Sequence, residues 1–455
     1  MARRIRAKVE LDPRLPTGSW RLNQLGFDAS PDLVCGLSLP VCVGRSTPDR
    51  VGKPTTRRHL RAAPRKSGVE TNIATELADQ RLEVALSSLE QAYRRLVIAA
   101  DLPAPLRRWD PSHGSPAVTW KLLDDDSSMQ TEHWPIGGSA FESEALVCRS
   151  GVATANDATL EREAYLCIGE AIAMRLDAAE SPRSRSAFAK ALWWEFGRPG
   201  AADTFEIERV NAQPYRAAVG RDERAEAAST AQLFEYLEHS LGTAAPFALV
   251  TGLFAVSGQP RTKVTKANAR YVNEPDWLDV IRESLEDNRA DFAHRVNAFA
   301  AARAQLGNPD GPLGHLAWAG KAAKLRADWD IRVSSLPRRV ASNQPIEPLG
   351  SMLVRLDVDV PTKDLSLAIH VEWEPPVPFT WAAVKLDAQG NEMGRIDFAY
   401  EPRVTTAEKR IMALDGTRTL LILGTNLGGI DAAHLLDPDH APFEPHGCTV
   451  YVVKL

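Results

Sequence analysis

At 455 residues the chain is longer than one ordinary hydrophobic core organises, which points to two domains or three. Hydrophobic residues at 44% and charged residues at 25% are the proportions of a folded protein and exclude wholesale disorder. A net charge of -5 excludes the basic footprint of a nucleic-acid-binding protein.

No apolar run reaches the ~18 residues a transmembrane helix needs. The start, MARRIRAKVELDPRLP, is basic but has no apolar segment behind the charges, so it is not a secretory signal as it stands. A chain whose signal had been removed and a start Met restored would read the same.

Residues 1–67 read as an irregular basic segment with short strands at KVELD and in LVCGLSLPVCVG. RSTPDRVGKPTTRRHLRAAPRK reads as a solvated loop in preference to an arm for an acidic partner. From Glu70 to Ala100 the spacing predicts a helix, capped by Thr71 or Asn72, with Leu77, Leu82, Ala85, Leu86, Leu89, Tyr93 and Leu96 on one face. SPAVTWKLL, from Ser115 to Leu123, predicts a strand.

The stretch from Thr159 to Pro182 predicts the central helix, with Leu160, Ala164, Ile168, Ala171 and Ile172 turned inward and Glu170 in its most apolar turn. Ser181 and Pro182 form an N-cap and first-turn proline for a second helix ending at Gly197. Further helices are expected at 222–241, 246–256, 275–286 and 289–306. Gly242 and Gly307 follow two of them, where a left-handed residue is wanted. The region 68–340 is thus helix-rich.

PRRVASNQPIEPLG, Pro337 to Gly350, reads as a linker, and the domain boundary is placed at 341–350. Beyond it, 351–455 carries about seven short runs of β character, the pattern of an antiparallel sandwich. The expected fold class is therefore α+β, a helix-rich domain followed by a β-sandwich.

Five cysteines are present. Cys35 and Cys42 flank GLSLPV; Cys148 precedes the central helix and Cys167 lies on it. Both spacings permit disulfides, Cys35–Cys42 and Cys148–Cys167, with Cys448 left free, and neither is a CxxC pair. The other reading is five reduced, buried thiols in a cytosolic protein.

No GxSxG, Walker loop, GxGxxG or HExxH occurs, and LGTNLGGID reads as a plain loop. Zinc needs imidazoles or carboxylates one helical turn apart. If Glu170 took the place of the Glu in H-E-x-x-H, Gly169 and Ala173 would occupy the histidine positions, and neither binds a metal. Glu161, Glu163, Asp177 and Glu180 lie near the helix ends or on other faces. Glu170 therefore reads as structural in preference to catalytic. An active site here would have to combine Glu170 with His113 or His133.

A second constellation spans Asp431 to Cys448 and holds Asp431, His434, Asp437, Asp439, His440, Glu444 and His446. Its carboxylates and imidazoles suit zinc, or the carboxylates alone calcium. The preferred reading is a long connection, stiffened by Pro438, Pro442 and Pro445, whose polar side chains cap its own turns. Trp193, Trp194, Trp373 and Trp381 are the aromatic candidates. Trp381, after EPPVPF, suits a sugar-binding face or, more commonly, a sandwich core.

The order of elements resembles the gluzincin-type metallopeptidases: a long helix, the SPAVTWKLL strand, the central helix, then a helical lobe in which AEAASTAQLFEYLEHSLG resembles a recurrent helix. From about residue 70 onward, LCIGEAIAMRLDAAESP, ALWWEFG, NEPDWLDVIRESL, LAWAG and DPDHAPFEPHGCTVY resemble uncharacterised, predicted exported proteins of myxobacteria. The first resemblance implies a zincin-like domain without its metal ligands. The second implies an exported protein and carries no reaction. Together they lead to the expectation of a non-catalytic extracytoplasmic protein, periplasmic, cell-surface or secreted, that needs no cofactor. Its sandwich would bind a protein partner, a polysaccharide or a surface. The alternatives are a metal-dependent hydrolase built around Glu170 and a calcium-dependent carbohydrate-binding protein. Without a removed signal the location would be cytoplasmic.

Overall fold

A computed structural model describes residues 19–21, 33–36, 39, 41–45, 69–105, 118–123, 130–135, 143–151, 156–177, 180–219, 227–242, 245–258, 276–285, 289–320, 323–398, 401, 403–428 and 445–455. The fold is α+β and divides into two compact units, Met1–Arg175 and Leu176–Leu455.

The first unit is built on a mixed sheet. Its strands are β1 (Ser19–Arg21), β2 (Leu33–Gly36), β3 (Val41–Arg45), β4 (Val118–Leu122), β5 (Gln130–Pro135) and β6 (Ser143–Ser150), in the order β1-β2-β3-β4-β6-β5. Strands β3, β4 and β6 run parallel, and the crossover from β3 to β4 is the helix α1, Val69–Tyr93, which packs on β2 and β3. Parallel neighbours need a crossover of this length. Leu82, Ala85, Leu86, Leu89, Ala92 and Tyr93 are buried along one face of α1, the expected spacing of threes and fours. The helix ends in a π turn over Arg94–Ala99 that buries Leu96. Strand β4 is the SPAVTWKLL strand; its Trp120 is fully buried, with Nε1 donating to Ser150 Oγ at 2.8 Å.

Helix α2, Asp157–Leu176, starts at Asn156, whose side chain accepts from the Thr159 amide at 2.9 Å. Every residue from Glu163 to Met174 is buried, so α2 is enclosed on all sides and not only along a stripe. The disulfide Cys148–Cys167 joins β6 to α2, with Cα atoms 5.9 Å apart. Cys35 and Cys42 are register partners across the β2–β3 pair, but their side chains lie outside the described residues. Cys448 is free and buried.

The second unit begins with α3 (Pro182–Phe196), α4 (Ala201–Asn211), α5 (Ala227–Leu241), α6 (Ala248–Ser257), α7 (Trp277–Ser284) and α8 (Arg289–Ala304). Ser181 caps α3 as expected, its hydroxyl accepting from the Ser184 amide at 3.1 Å. Gly307 takes a left-handed φ of 86°. Gly242 does not; it is required instead because a Cβ there would lie 2.1 Å from the Glu238 carbonyl oxygen.

A β-sandwich follows, with β7 (Trp329–Arg332), β8 (Arg338–Ala341), β9 (Ser351–Asp357), β10 (Leu367–Trp373), β11 (Phe379–Leu386), β12 (Glu392–Asp397), β13 (Thr406–Ile411), β14 (Thr419–Asn426) and β15 (Cys448–Lys454). The sheets have the orders β13-β10-β15-β8 and β12-β11-β14-β9-β7. All pairs are antiparallel except β7 with β9. Val354, Phe379, Trp381 and Ile422 of one sheet meet Ile369, Val371, Val450 and Val452 of the other in a common core.

The linker expected at 341–350 is corrected by these pairings. Strand β8 lies within Pro337–Gly350, the stretch that reads as a linker, and pairs with β15, Ile346 bridges to His446, and Glu347 accepts from the Ala217 amide at 2.9 Å. Pro337, Pro345 and Pro348 all lie outside the four residues of β8, so they interrupt the periodicity without costing the strand an amide. The sandwich therefore begins at β7, ahead of residue 351.

Candidate metal centre

The helix expected to be central holds Glu170 at 2% exposure, between the buried Gly169 and Ala173. Neither neighbour offers a donor atom. His113 lies outside the described residues, as does the side chain of His133. Asp177 and Glu180 have structural contacts. Asp177 accepts from Ser257 Oγ at 2.8 Å, and Glu180 accepts from the Ser181 amide at 2.9 Å.

Of the loop candidates, Asp431, His434, Asp437, Asp439, His440 and Glu444 lie outside the described residues. His446 is described. It is 8% exposed and is held by backbone hydrogen bonds to Ile346 of 3.0 and 2.8 Å. The four tryptophans are core residues: Trp193, Trp194, Trp373 and Trp381 are 2%, 4%, 8% and 2% exposed. A sugar-stacking face at Trp373 and Trp381 is thereby excluded, since a platform must be reached from solvent.

Among the described residues, one cluster does bring metal-binding side chains together, and it stands on none of the expected positions. Glu235 and His239 occupy successive turns of α5, and His315 comes from the six-residue 3-10 helix Gly314–Ala319. Their donor atoms all lie within 4.8 Å of one another. His315 Nε2 is 3.0 Å from Glu235 Oε2, and His239 Nε2 is 4.0 Å from the same oxygen. The two imidazoles stack, with centroids 3.5 Å apart and planes 21° from parallel.

Packing explains the positions. AASTAQLFEYL is buried over 227–237, because α3 and α6 flank α5. Arg183 of α3 fixes the start of α5, with Nε donating to Thr230 Oγ1 at 3.1 Å and Nη2 to Ser229 Oγ at 2.9 Å. Glu235 thus faces inward at 1% exposure, while the His239 and His315 side chains, at 41% and 23%, reach solvent.

Burial, reinforced by the charges of Glu195 and Glu238, raises the Glu235 carboxyl well above the usual carboxylate range. Burial lowers His315 to about 4 and also lowers His239, whose cationic form the neighbouring imidazole further opposes. His315 is therefore neutral at pH 7, and its contact with Glu235 is a hydrogen bond, not an ion pair. Neutral imidazoles are zinc donors, and the Glu235 carboxyl becomes one on giving up its proton.

Glu238, on the next position of α5, accepts from the Val250 amide at 2.8 Å, at the start of α6. Burial nevertheless pushes its carboxyl up to about 7. The folded state then holds a proton that the unfolded chain, near 4.5, releases, so stability falls as pH rises from 4.5 to about 7 and levels off above. Glu238→Gln keeps an acceptor for Val250 and removes this loss. Urea denaturation should show it stabilised by about 1–2 kcal/mol at pH 8, after allowance for solvent screening, and unchanged at pH 4.

No family model matches the chain and no curated protein matches it. Among solved structures, the pre-peptidase C-terminal domain of collagenase from Bacillus anthracis is similar over 28% of this chain and 96% of its own, at 11% identity and a TM-score of 0.18. The enzymatically active domain of bacteriophage CBA120 tailspike protein 4 is similar over 26% of this chain and 17% of its own, at 9% identity and a TM-score of 0.17. The insecticidal delta-endotoxin Cry8Ea1 from Bacillus thuringiensis is similar over 29% of this chain and 26% of its own, at 12% identity and a TM-score of 0.18. These likenesses carry no argument about function. No helix among the described residues is long and apolar enough to cross a membrane.

Proposed function

We propose that this chain is an extracytoplasmic binding protein whose peptidase-like unit around α2 no longer catalyses. Its sandwich is the module that holds a partner, polymer or surface. The observation that carries the reading is Glu170, 2% exposed in a helix enclosed on all sides, with Gly169 and Ala173 where a peptidase helix would carry its ligands. Catalysis needs a group that substrate can reach and a metal or base poised beside it. The Cys148–Cys167 disulfide supports an oxidising compartment, since reducing compartments keep thiols unpaired. The sequence of long helix, parallel strand, central helix and helical region supports a zincin-like ancestry.

Hydrolysis of casein, measured with and without added zinc, tests the proposal. Wild type and Glu170→Gln are expected to be equally inactive. Zinc-dependent cleavage that Glu170→Gln abolishes would overturn the reading and restore α2 as an active-site helix.

A further inference from the structure

We infer that Glu235, His239 and His315 form a binding site for a zinc-class divalent metal ion, on α5 and the Gly314–Ala319 turn. The donor set is one carboxylate and two imidazoles, the set zinc takes when three ligands come from protein and a fourth position stays open. Calcium is disfavoured, because it takes 6–8 oxygen ligands and two of these three donors are nitrogens.

The geometry is close to what the ion needs. Donors about 2.0–2.2 Å from a tetrahedral ion lie about 3.3–3.6 Å from each other. His315 Nε2 and His239 Nε2 approach one oxygen of Glu235 at 3.0 and 4.0 Å, which bracket that spacing, and turning the two imidazoles out of their stack aims both lone pairs at one ion. Spacing of i and i+4 places Glu235 and His239 on one face of α5, and the 3-10 turn supplies the third ligand from across.

An independent observation points to a missing ligand. Glu235 Oε1 is buried and has no hydrogen-bond partner, although its side chain is only 1% exposed. A buried polar atom left so costs about 1–3 kcal/mol, and native folds rarely tolerate it without a ligand or water. An ion that this carboxylate takes through both oxygens satisfies Oε1 while Oε2 keeps its place beside the imidazoles. Exposure of both imidazoles gives the ion a path from solvent, and bound metal would pin α5 to the Gly314–Ala319 segment.

The test is calorimetric titration of metal-stripped full-length protein with zinc chloride. Wild type, Glu170→Gln and the loop double variant His434→Ala/His440→Ala should each take up one zinc. In His315→Ala and in His239→Ala, affinity should fall by more than the roughly 10–100-fold that loss of a ligand's hydrogen-bond partner costs. Far-UV circular dichroism establishes that these partly exposed positions leave the fold intact. Cobalt(II) should give the visible absorption of a tetrahedral site in wild type, lost in both variants. Absence of zinc uptake by wild type, unchanged affinity in both histidine variants, or loss of uptake in the loop variant instead would each overturn the assignment.

Discussion

Trp381→Ala is expected to lower the stability of the second unit by about 3–5 kcal/mol, the cost of emptying a large aromatic site in a packed core. The ring is 2% exposed, stacked at 6.2 Å on Phe379 and tilted at 6.4 Å against Trp373. It also covers the backbone of Gly424, its register partner on β14. A Cβ at Gly424 would lie 2.4 Å from the ring, so the neighbouring strand has been cleared of side chain to admit it. At about 2–4 °C per kcal/mol, the melting temperature should drop by roughly 6–20 °C. A near-zero change would mean that the ring is dispensable to the core, and the burial argument against a sugar platform would fail with it.

Removing the Cys148–Cys167 bridge should cost nearly as much. The bridge closes a loop of sequence separation 19, and loop-closure entropy at that length is worth about 3 kcal/mol. The double variant Cys148→Ser/Cys167→Ser is therefore expected to melt well below wild type when both are oxidised. In dithiothreitol the two proteins should melt alike. The loss should fall on the first unit, because β6 and α2 both belong to it. Equal melting of the oxidised proteins would show that the bridge stabilises nothing beyond the packing of α2.

The helical core was legible because burial on one face leaves a period in the sequence. α1 carries it, and α2, α3 and α5 to α8 were legible too, although α2 is buried on every side from Glu163 to Met174. α4 was missed: AADTFEIERVN is short, and Ile207 and Val210 are the only large apolar side chains it buries. β1, β5 and β6 were missed as well. β5 lies at the end of its sheet and finishes in Pro135, a residue that argues against strand wherever both sides must pair. The sandwich boundary was misplaced because β7 and β8 are only four residues each, too short for an alternation to declare itself.

The candidate site was half legible. Glu235 and His239 stand one turn apart in the sequence, but a search shaped by H-E-x-x-H passes over a carboxylate–histidine pair. His315 was out of reach. It meets α5 only because the helices between them fold back, and no local pattern encodes that. The tryptophans show the opposite limit, since their chemistry suits a sugar face or a core equally and only burial decides.

Strand β14 reads TLLILGTN, with an unbroken apolar run from Leu420 to Leu423 where a sandwich strand would alternate, and all but its first residue are buried. The reason is α8. Its Ala300, Ala301 and Ala304 lie against Leu353, Val384, Leu421 and Leu423 on the outer face of the five-stranded sheet, and Asn297 Nδ2 donates to Thr380 Oγ1 at 2.7 Å. That sheet therefore has no face left for a ligand, and recognition by the sandwich falls to the four-stranded side and the loops at its ends. It also sets the smallest autonomous piece of the chain. Cutting at residue 351 would strip β7, β8 and α8 together and turn an oily wall to water, so the sandwich is separable from the helices only if it takes α8 with it.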